Sequence, residues 1–144
     1  MTIVRDEFSI STDREKLDLP FIHAFLSKES YWVQGIPLEH VEKAVEHSLN
    51  FGLYHQDRQI GYARVITDFV RVAYLADVFI AVPYRGKGLS KWLVGEIMNH
   101  PDLQHLRRWM LHTKDAHGLY EQLGWTAAAK PETYLEIYHP NIYQ

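Results

Sequence analysis

The chain has 144 residues, 47% of them hydrophobic, with a formal net charge of −3 and no cysteine. That length and apolar content suit a single domain, 1–144, with a substantial core, and the slight acidity excludes a broad basic face for nucleic acid, so any bound anion must be held locally. The lack of cysteine excludes disulfides, thiolate metal sites and a cysteine nucleophile, while the charged start Arg5-Asp6-Glu7 and the absence of a transmembrane-length apolar run lead to the expectation of a soluble cytoplasmic protein that does not engage membranes.

Phe8, Ser9 and Ile10 read as a short first strand, and the polar residues Ser11 to Lys16 as a turn. Asp18 is placed to cap a helix with Pro20 in its first turn, and Phe21, Ile22, Phe25 and Leu26 form its apolar stripe up to about Lys28. A loop carrying Tyr31 and Trp32 follows. Pro37 then opens a second helix, whose apolar positions Leu38, Val41, Ala44 and Val45 recur every three or four residues.

From Asn50 the period changes to two. Phe51, Leu53 and His55 alternate, Gln56-Asp57-Arg58 makes a hairpin turn, and Ile60, Tyr62, Ala63, Val65 and Ile66 form the return strand. After another turn, Asp68 to Arg71, comes a nearly continuous apolar run of Tyr74, Leu75, Val78, Phe79, Ile80, Ala81 and Val82, which suits a strand covered on both faces. Pro83 stops it. Tyr84-Arg85-Gly86-Lys87-Gly88 then puts two glycines and two cations at the carboxyl end of that strand, directly before an amphipathic helix bearing Leu89, Trp92, Leu93 and Ile97. The first turn of a helix has unpaired N–H groups and a partial positive charge, so this junction suits an anion, and a diphosphate fits it well.

His100-Pro101-Asp102 breaks the helix, and Trp109-Met110-Leu111-His112 reads as another short buried strand. Asp115 is placed to cap a helix from Ala116 to Leu123, with Gly124 as its stop. Trp125-Thr126-Ala127 and Tyr134 to Tyr138 read as two final strands. The order is β-α-α-β-β-β-α-β-α-β-β, an α/β fold with a mixed central sheet flanked by helices. A right-handed crossover should set the strands near 78 and 110 side by side and parallel.

Those elements and two motifs resemble the GCN5-related N-acetyltransferases (GNAT), which use acetyl-coenzyme A. The family's central motif is Gln or Arg, two residues, Gly, one residue, then Gly or Ala; here it is Arg85-Gly86-Lys87-Gly88-Leu89-Ser90, with serine in the last place. Leu119-Tyr120-Glu121-Gln122-Leu123-Gly124-Trp125 is similar to the family's Leu-Tyr-x-x-x-Gly-Phe segment. Seven residues before that tyrosine position, where the family often has Asn, this chain has Thr113. The resemblance implies that backbone amides of Arg85, Gly86, Lys87, Gly88, Leu89 and Ser90 hold the cofactor diphosphate. It also implies that the strand carrying Val78, Phe79, Ile80 and Val82 offers backbone groups to the pantetheine arm, with Thr113 a further cofactor contact. A bulge would part that strand from the parallel one near Met110 and Leu111, opening a gap for the thioester.

Acetyl transfer to an amine needs a neutral nitrogen, a stabilised oxyanion and a proton for the departing thiolate. Tyr120 reads by itself as an aromatic on a buried helix face, and the motif match turns that reading toward the acid. Asp77 lies beside the implied acetyl site as a candidate base, although strand alternation can turn it away and the family often deprotonates the amine through water. Tyr31 and Trp32 fall in the loop that commonly walls the acceptor in this family. Arg64, Thr67 and Asp68, at the end of a strand, are candidate substrate contacts or simply a polar turn. The nine histidines are scattered without metal-ligand spacing, so no metal is expected, and Gly-Lys-Gly-Leu-Ser lacks the spacing of a phosphate loop for nucleotide hydrolysis. The expected activity is acetyl-CoA-dependent N-acetyl transfer to a small molecule or an exposed amino group; the alternative is a non-catalytic acyl-CoA binding module. The late strand Tyr134 to Tyr138 offers an edge through which a homodimer could form.

Overall fold

The computed structural model describes all residues 1–144. It begins with a strand not expected from the sequence: β1 (Thr2–Arg5) pairs antiparallel with β2 (Phe8–Ser11), Arg5 opposite Phe8. Asp6 closes this two-residue turn at φ 56°, a conformation Asp tolerates better than most L-residues. β1 is short, largely exposed and at the sheet edge, so it carries none of the apolar alternation that would announce it.

Helix α1 (Leu19–Ala24) starts as expected, with the Asp18 carboxylate accepting from the Phe21 N–H at 3.1 Å, and runs on into a wider π turn, Phe25–Glu29. Helix α2 (Leu38–Glu46) opens after Pro37. β3 (Leu49–His55) and β4 (Arg58–Thr67) form the expected hairpin through Gln56 and Asp57, with Gln56 at φ 54°. β5 (Val72–Ile80) continues the antiparallel sheet. Helix α3 (Leu89–Met98) then crosses over to β6 (Arg108–Met110), which lies parallel to β5, and helix α4 (His117–Gln122) follows. The six strands stand in chain order across one mixed sheet.

Helices cover both faces. The larger core gathers Phe51, Leu53, Val65, Ala73 and Leu75 of the sheet against Leu89, Leu93, Val94 and Ile97 of α3 and Tyr120 of α4. The smaller packs Tyr62 and Phe79 against Ile22, Phe25, Leu26, Val41 and Val45 of the α1–α2 side. Each such large apolar side chain contributes about 1.5–3 kcal/mol when fully buried.

Three expectations are corrected. β5 ends at Ile80, and Val82 starts a 3₁₀ turn, Val82–Tyr84, because Pro83 fixes φ and supplies no ladder donor. Asp115 does not cap α4: the cap position is Ala116, which offers no side-chain bond, and Thr113 Oγ1 accepts from the Ala116 N–H at 3.1 Å just before the helix. The two final strands do not form: every residue from 126 to 142 is exposed and none joins the sheet. Their alternation is strand-like, but strands need a neighbour, and within one copy this stretch pairs with none.

Candidate active site

The carboxyl end of β5 turns sharply into α3. Gly86 and Gly88 take φ 80° and 75°, Gly88 being the cap of the helix, and a Cβ built at either would meet no atom within 4 Å. Crowding does not demand glycine there. The left-handed backbone does, at about 1–2 kcal/mol for an L-residue, and the open space leaves the first-turn N–H groups approachable by an anion. Arg85 is tied to the strand end by Nε donating to the Ile80 carbonyl at 3.0 Å. Behind this cradle, His55 bridges the Tyr84 hydroxyl (Nδ1, 2.8 Å) and the Glu7 carboxylate (Nε2, 2.9 Å), bracing the turn that leads into it.

β5 and β6 stay paired only from Val72 opposite Arg108 to Tyr74 opposite Met110. Beyond that point, β5 bulges. Tyr62 pairs with Phe79 and Arg64 with Ala76, so Asp77 and Val78 together stand opposite Ala63. Asp77 takes φ 56° there, and Val78, Phe79 and Ile80 are left without a β6 neighbour on their far edge. The result is a cleft in the sheet that opens toward the cradle.

Tyr120 sits on α4, 8% exposed, its ring edge-on to Trp125 with centroids 5.8 Å apart. A C-terminal lock holds the helix: the Trp125 N–H donates to the Tyr120 carbonyl at 3.1 Å and the Gly124 N–H to that of Glu121 at 3.1 Å, with Gly124 at φ 94°. Burial first, then the nearby Tyr31 and Asp115, push the Tyr120 phenol up to about 12. Tyr31 is drawn to the same place, since its hydroxyl accepts from the Lys114 N–H at 3.0 Å and the Lys114 ammonium lies 5.0 Å from its ring centroid.

Across β5, a cavity of about 140 Å³ opens between the sheet and α2, lined mainly by apolar groups such as Leu26, Val33, Ile36 and Val41. Its polar wall is a connected set. Asp77 accepts from Trp32 Nε1 at 2.8 Å and from Arg64 Nε at 2.5 Å, and Arg64 Nη1 donates to Ser48 Oγ at 3.1 Å. The Asp77 and Arg64 side chains are only 9% and 18% exposed. Next to them the Tyr62 hydroxyl donates to Asn50 Oδ1, and burial, reinforced by the Asp77 charge, holds that phenol well above its ordinary range. Ser30 places Trp32 and its loop: its hydroxyl donates to the Leu26 carbonyl at 2.6 Å and accepts from the Val33 N–H at 3.2 Å.

Arg64 and Asp77 line the cavity, Trp32 is bonded to Asp77, Tyr31 lies edge-on to Trp32 and near Tyr120, and Arg85 to Ser90 follow the free end of β5. Thr67 and Asp68 do not line the cavity. They close the β4–β5 turn, Thr67 Oγ1 donating to the Val72 carbonyl at 2.7 Å and the Asp68 carboxylate accepting from the N–H groups of Val70, Arg71 and Val72. Those three bonds, Arg71 foremost, lower the Asp68 carboxyl to about 2. Ser48, Asn50, His40 and Tyr143 of the cavity region were not legible as site residues: nothing local distinguishes them, and tertiary folding alone brings them to Asp77.

A family model described as the acetyltransferase (GNAT) family matches residues 19–125, which takes in the cradle, the bulged strand and Tyr120. The chain belongs to that family. A candidate acetyltransferase from Gibberella zeae is 33% identical, the match covering 81% of this chain and 77% of that protein. The crystal structure of a candidate GNAT acetyltransferase from Xanthomonas campestris pv. campestris is 46% identical, covers 94% of this chain and 96% of its own, and superposes with a TM-score of 0.92. A more distant acetyltransferase structure from Clostridium acetobutylicum, described with acetyl-CoA, shares the fold at a TM-score of 0.65 and 13% identity, covering 96% of each chain. The GNAT assignment makes this chain an acetyltransferase by family, on a six-stranded mixed sheet flanked by helices.

Proposed function

We propose that this GNAT protein transfers an acetyl group from acetyl-coenzyme A directly to a primary amine, carried by a small molecule or presented as an exposed amino group. The observation that supports the reading is the break in pairing between β5 and β6 at the β5 bulge, which leaves Val78 to Ile80 free beside the open glycine cradle, with a cavity lined by Arg64 and Asp77 across β5 and a buried, protonated Tyr120 phenol near Tyr31. The residues fit the cofactor: Gly86 and Gly88 leave the amides of the cradle open to a diphosphate, Arg85 and Lys87 add charge, and the free edge from Val78 to Ile80 suits the amides of a pantetheine arm. Bound acetyl-CoA would supply an activated acyl group.

The protein's own part is positioning and charge. A backbone N–H near Phe79 or Ile80 is available to a developing oxyanion. Asp77 has both oxygens engaged, so it holds Trp32 and Arg64 in place and shapes the amine subsite, and water carries the amine's proton away. Tyr120 keeps its proton through neutral pH. Its pKa of about 12 lies about 3 to 4 units above an ordinary thiol. Tyr120 would therefore donate a hydrogen bond to the departing sulfur while keeping its own proton, and the thiolate would take its proton from water. The small apolar cavity favours a compact amine or one side chain over a bulky acceptor.

Thiol release from acetyl-CoA, followed spectroscopically across an amine panel, tests this. Turnover should require an amine, and Tyr120→Phe should lower kcat by about 100-fold with little change in acetyl-CoA binding. Undiminished turnover in that variant would remove Tyr120 from the chemistry. Calorimetric binding of acetyl-CoA without turnover of any amine would instead favour an acyl-CoA binding module.

A further inference from the structure

Residues 126–142 are all exposed, and the chain then returns to the α1–α2 side of the body at Tyr143. This side chain is half-buried, packs against the smaller core and lines the cavity that holds Arg64 and Asp77. Tyr143 lies outside residues 19–125, the stretch that the family model matches.

The body provides a seat for it. Gly35 takes φ 84° and its N–H donates to the Ser27 carbonyl at 2.9 Å, while a Cβ built on it would come within 2.9 Å of the Tyr143 carbonyl oxygen. Glycine at this position therefore serves a left-handed turn and a close backbone approach at once. The His40 ring of α2 also stands edge-on to the Tyr143 ring, with centroids 5.7 Å apart. A local turn, in which the Gln144 N–H donates to the Asn141 carbonyl at 3.1 Å, shapes the segment that presents the tyrosine.

The other walls of the cavity belong to packed elements. The sheet supplies Tyr62, Arg64 and Asp77, and the two helices with their connecting loop supply apolar groups such as Val33, Ile36 and Val41. Tyr143 alone reaches the cavity from beyond the last helix, through a stretch that joins no strand of the sheet. An apolar space of roughly 150 Å³ takes up a benzene-sized guest. At about 140 Å³, this one suits a branched aliphatic chain and leaves little room for a fused ring system.

We propose that Tyr143 sets which amines the site accepts: seated on Gly35 and against His40, it closes the cavity and selects amines that carry a compact apolar group. The inference rests on the reading of this site as the amine subsite of an acetyl transfer centre. Contact between the bound group, the Tyr143 ring and the apolar walls would supply affinity, and a bulkier acceptor would have to displace the ring.

Thiol release from acetyl-CoA with isopentylamine and with naphthylethylamine, measured on the full chain, tests the proposal. The unsubstituted chain should favour isopentylamine in kcat/KM. Tyr143→Ala should lower kcat/KM for isopentylamine by about 10-fold, mainly through KM, and raise it for naphthylethylamine, with acetyl-CoA affinity unchanged. Tyr143→Phe keeps the ring and should keep the preference. Gly35→Ala, which pushes against the Tyr143 carbonyl, should repeat the pattern of Tyr143→Ala. A residue that only holds the fold together would weaken both amines by one factor. That result, or an unaltered preference in Tyr143→Ala, would overturn the inference while leaving acetyl transfer to amines intact. Turnover of no amine by the unsubstituted chain would overturn the reading of the site and this inference with it.

Discussion

The two sides of β5 solve their tasks by different means. On the cofactor side, one contiguous stretch from Val78 to α3 forms the free strand edge, the 3₁₀ turn, the two left-handed glycines and the helix N-terminus. The groups it would offer a cofactor are backbone amides. On the side proposed for the amine, Trp32, Ser48, Arg64, Asp77 and Tyr143 come from five separate segments, and the polar groups are side chains. Backbone geometry can be specified by a few adjacent residues, whereas an ion pair 13 positions apart and an indole 45 positions from its carboxylate depend on the whole fold. The difference teaches that a change on the first side acts through local backbone shape, while a change on the second acts through contacts between distant segments.

The largest effect expected is at the backbone side. Gly86→Val with Gly88→Val puts two β-branched residues into left-handed conformations and fills the space an anion needs. A loss of about 1,000-fold in kcat/KM for acetyl-CoA should follow, the equivalent of about 4 kcal/mol. Calorimetry should show the same loss in coenzyme A affinity while amine binding is spared. Equal weakening of both ligands would break the separation of the two sides.

On the side-chain half, Arg64→Ala leaves Asp77 with a largely buried charge and one partner. Destabilisation by about 2–3 kcal/mol is expected in denaturant unfolding, below the range for fully buried pairs because Arg64 is partly solvated. KM for the amine should rise with coenzyme A affinity intact. Arg64→Leu combined with Asp77→Asn, in which Asn tolerates φ 56°, should recover most of the stability and little of the activity. Recovery of both would show that the ion pair is dispensable for the amine.

Alkaline pH gives a smaller and more diagnostic effect. Tyr120 and Tyr54 are both pushed by burial from an ordinary 10 to about 12. A phenol raised in the folded state favours folding fully below pH 10, and that contribution disappears as pH climbs through 12. Unfolding free energy measured from pH 9 upward should therefore fall across this window, less steeply in Tyr120→Phe, with no alkaline loss of activity from Tyr120 near pH 10. A tyrosinate absorbance step at pH 10 assigned to Tyr120 would contradict its burial in the cleft.

Much of this molecule can be read from residue order because its signals are local. Asp18 and Pro20 announce α1, Gln56-Asp57 announces a hairpin, Pro83 marks the end of β5, and Gly86 and Gly88 mark the cradle. What escaped depends on distance. β1 exists only because β2 lies beside it, and Asp77 reaches Arg64 only because a bulge rotates it out of strand alternation. The Tyr134 to Tyr138 segment shows the converse failure, in which a correct local strand pattern finds no neighbour within one copy.

The mildest prediction concerns the polar cluster at the end of β4, where residue type alone left substrate contact and turn chemistry open. The structure has Asp68 accepting three backbone N–H groups of the turn itself, which is why its carboxyl is lowered to about 2 from 3.8. A lowered carboxyl stabilises the fold above the unfolded value and loses that contribution as pH falls from about 4 toward 2. Asp68→Asn should flatten the acid limb of the unfolding curve in that window and leave amine kcat/KM unchanged, because neither Thr67 nor Asp68 lines the cavity. A raised KM for the amine in Asp68→Asn, with the acid limb unaltered, would move this turn into the amine site and extend the side-chain half of the molecule beyond Arg64.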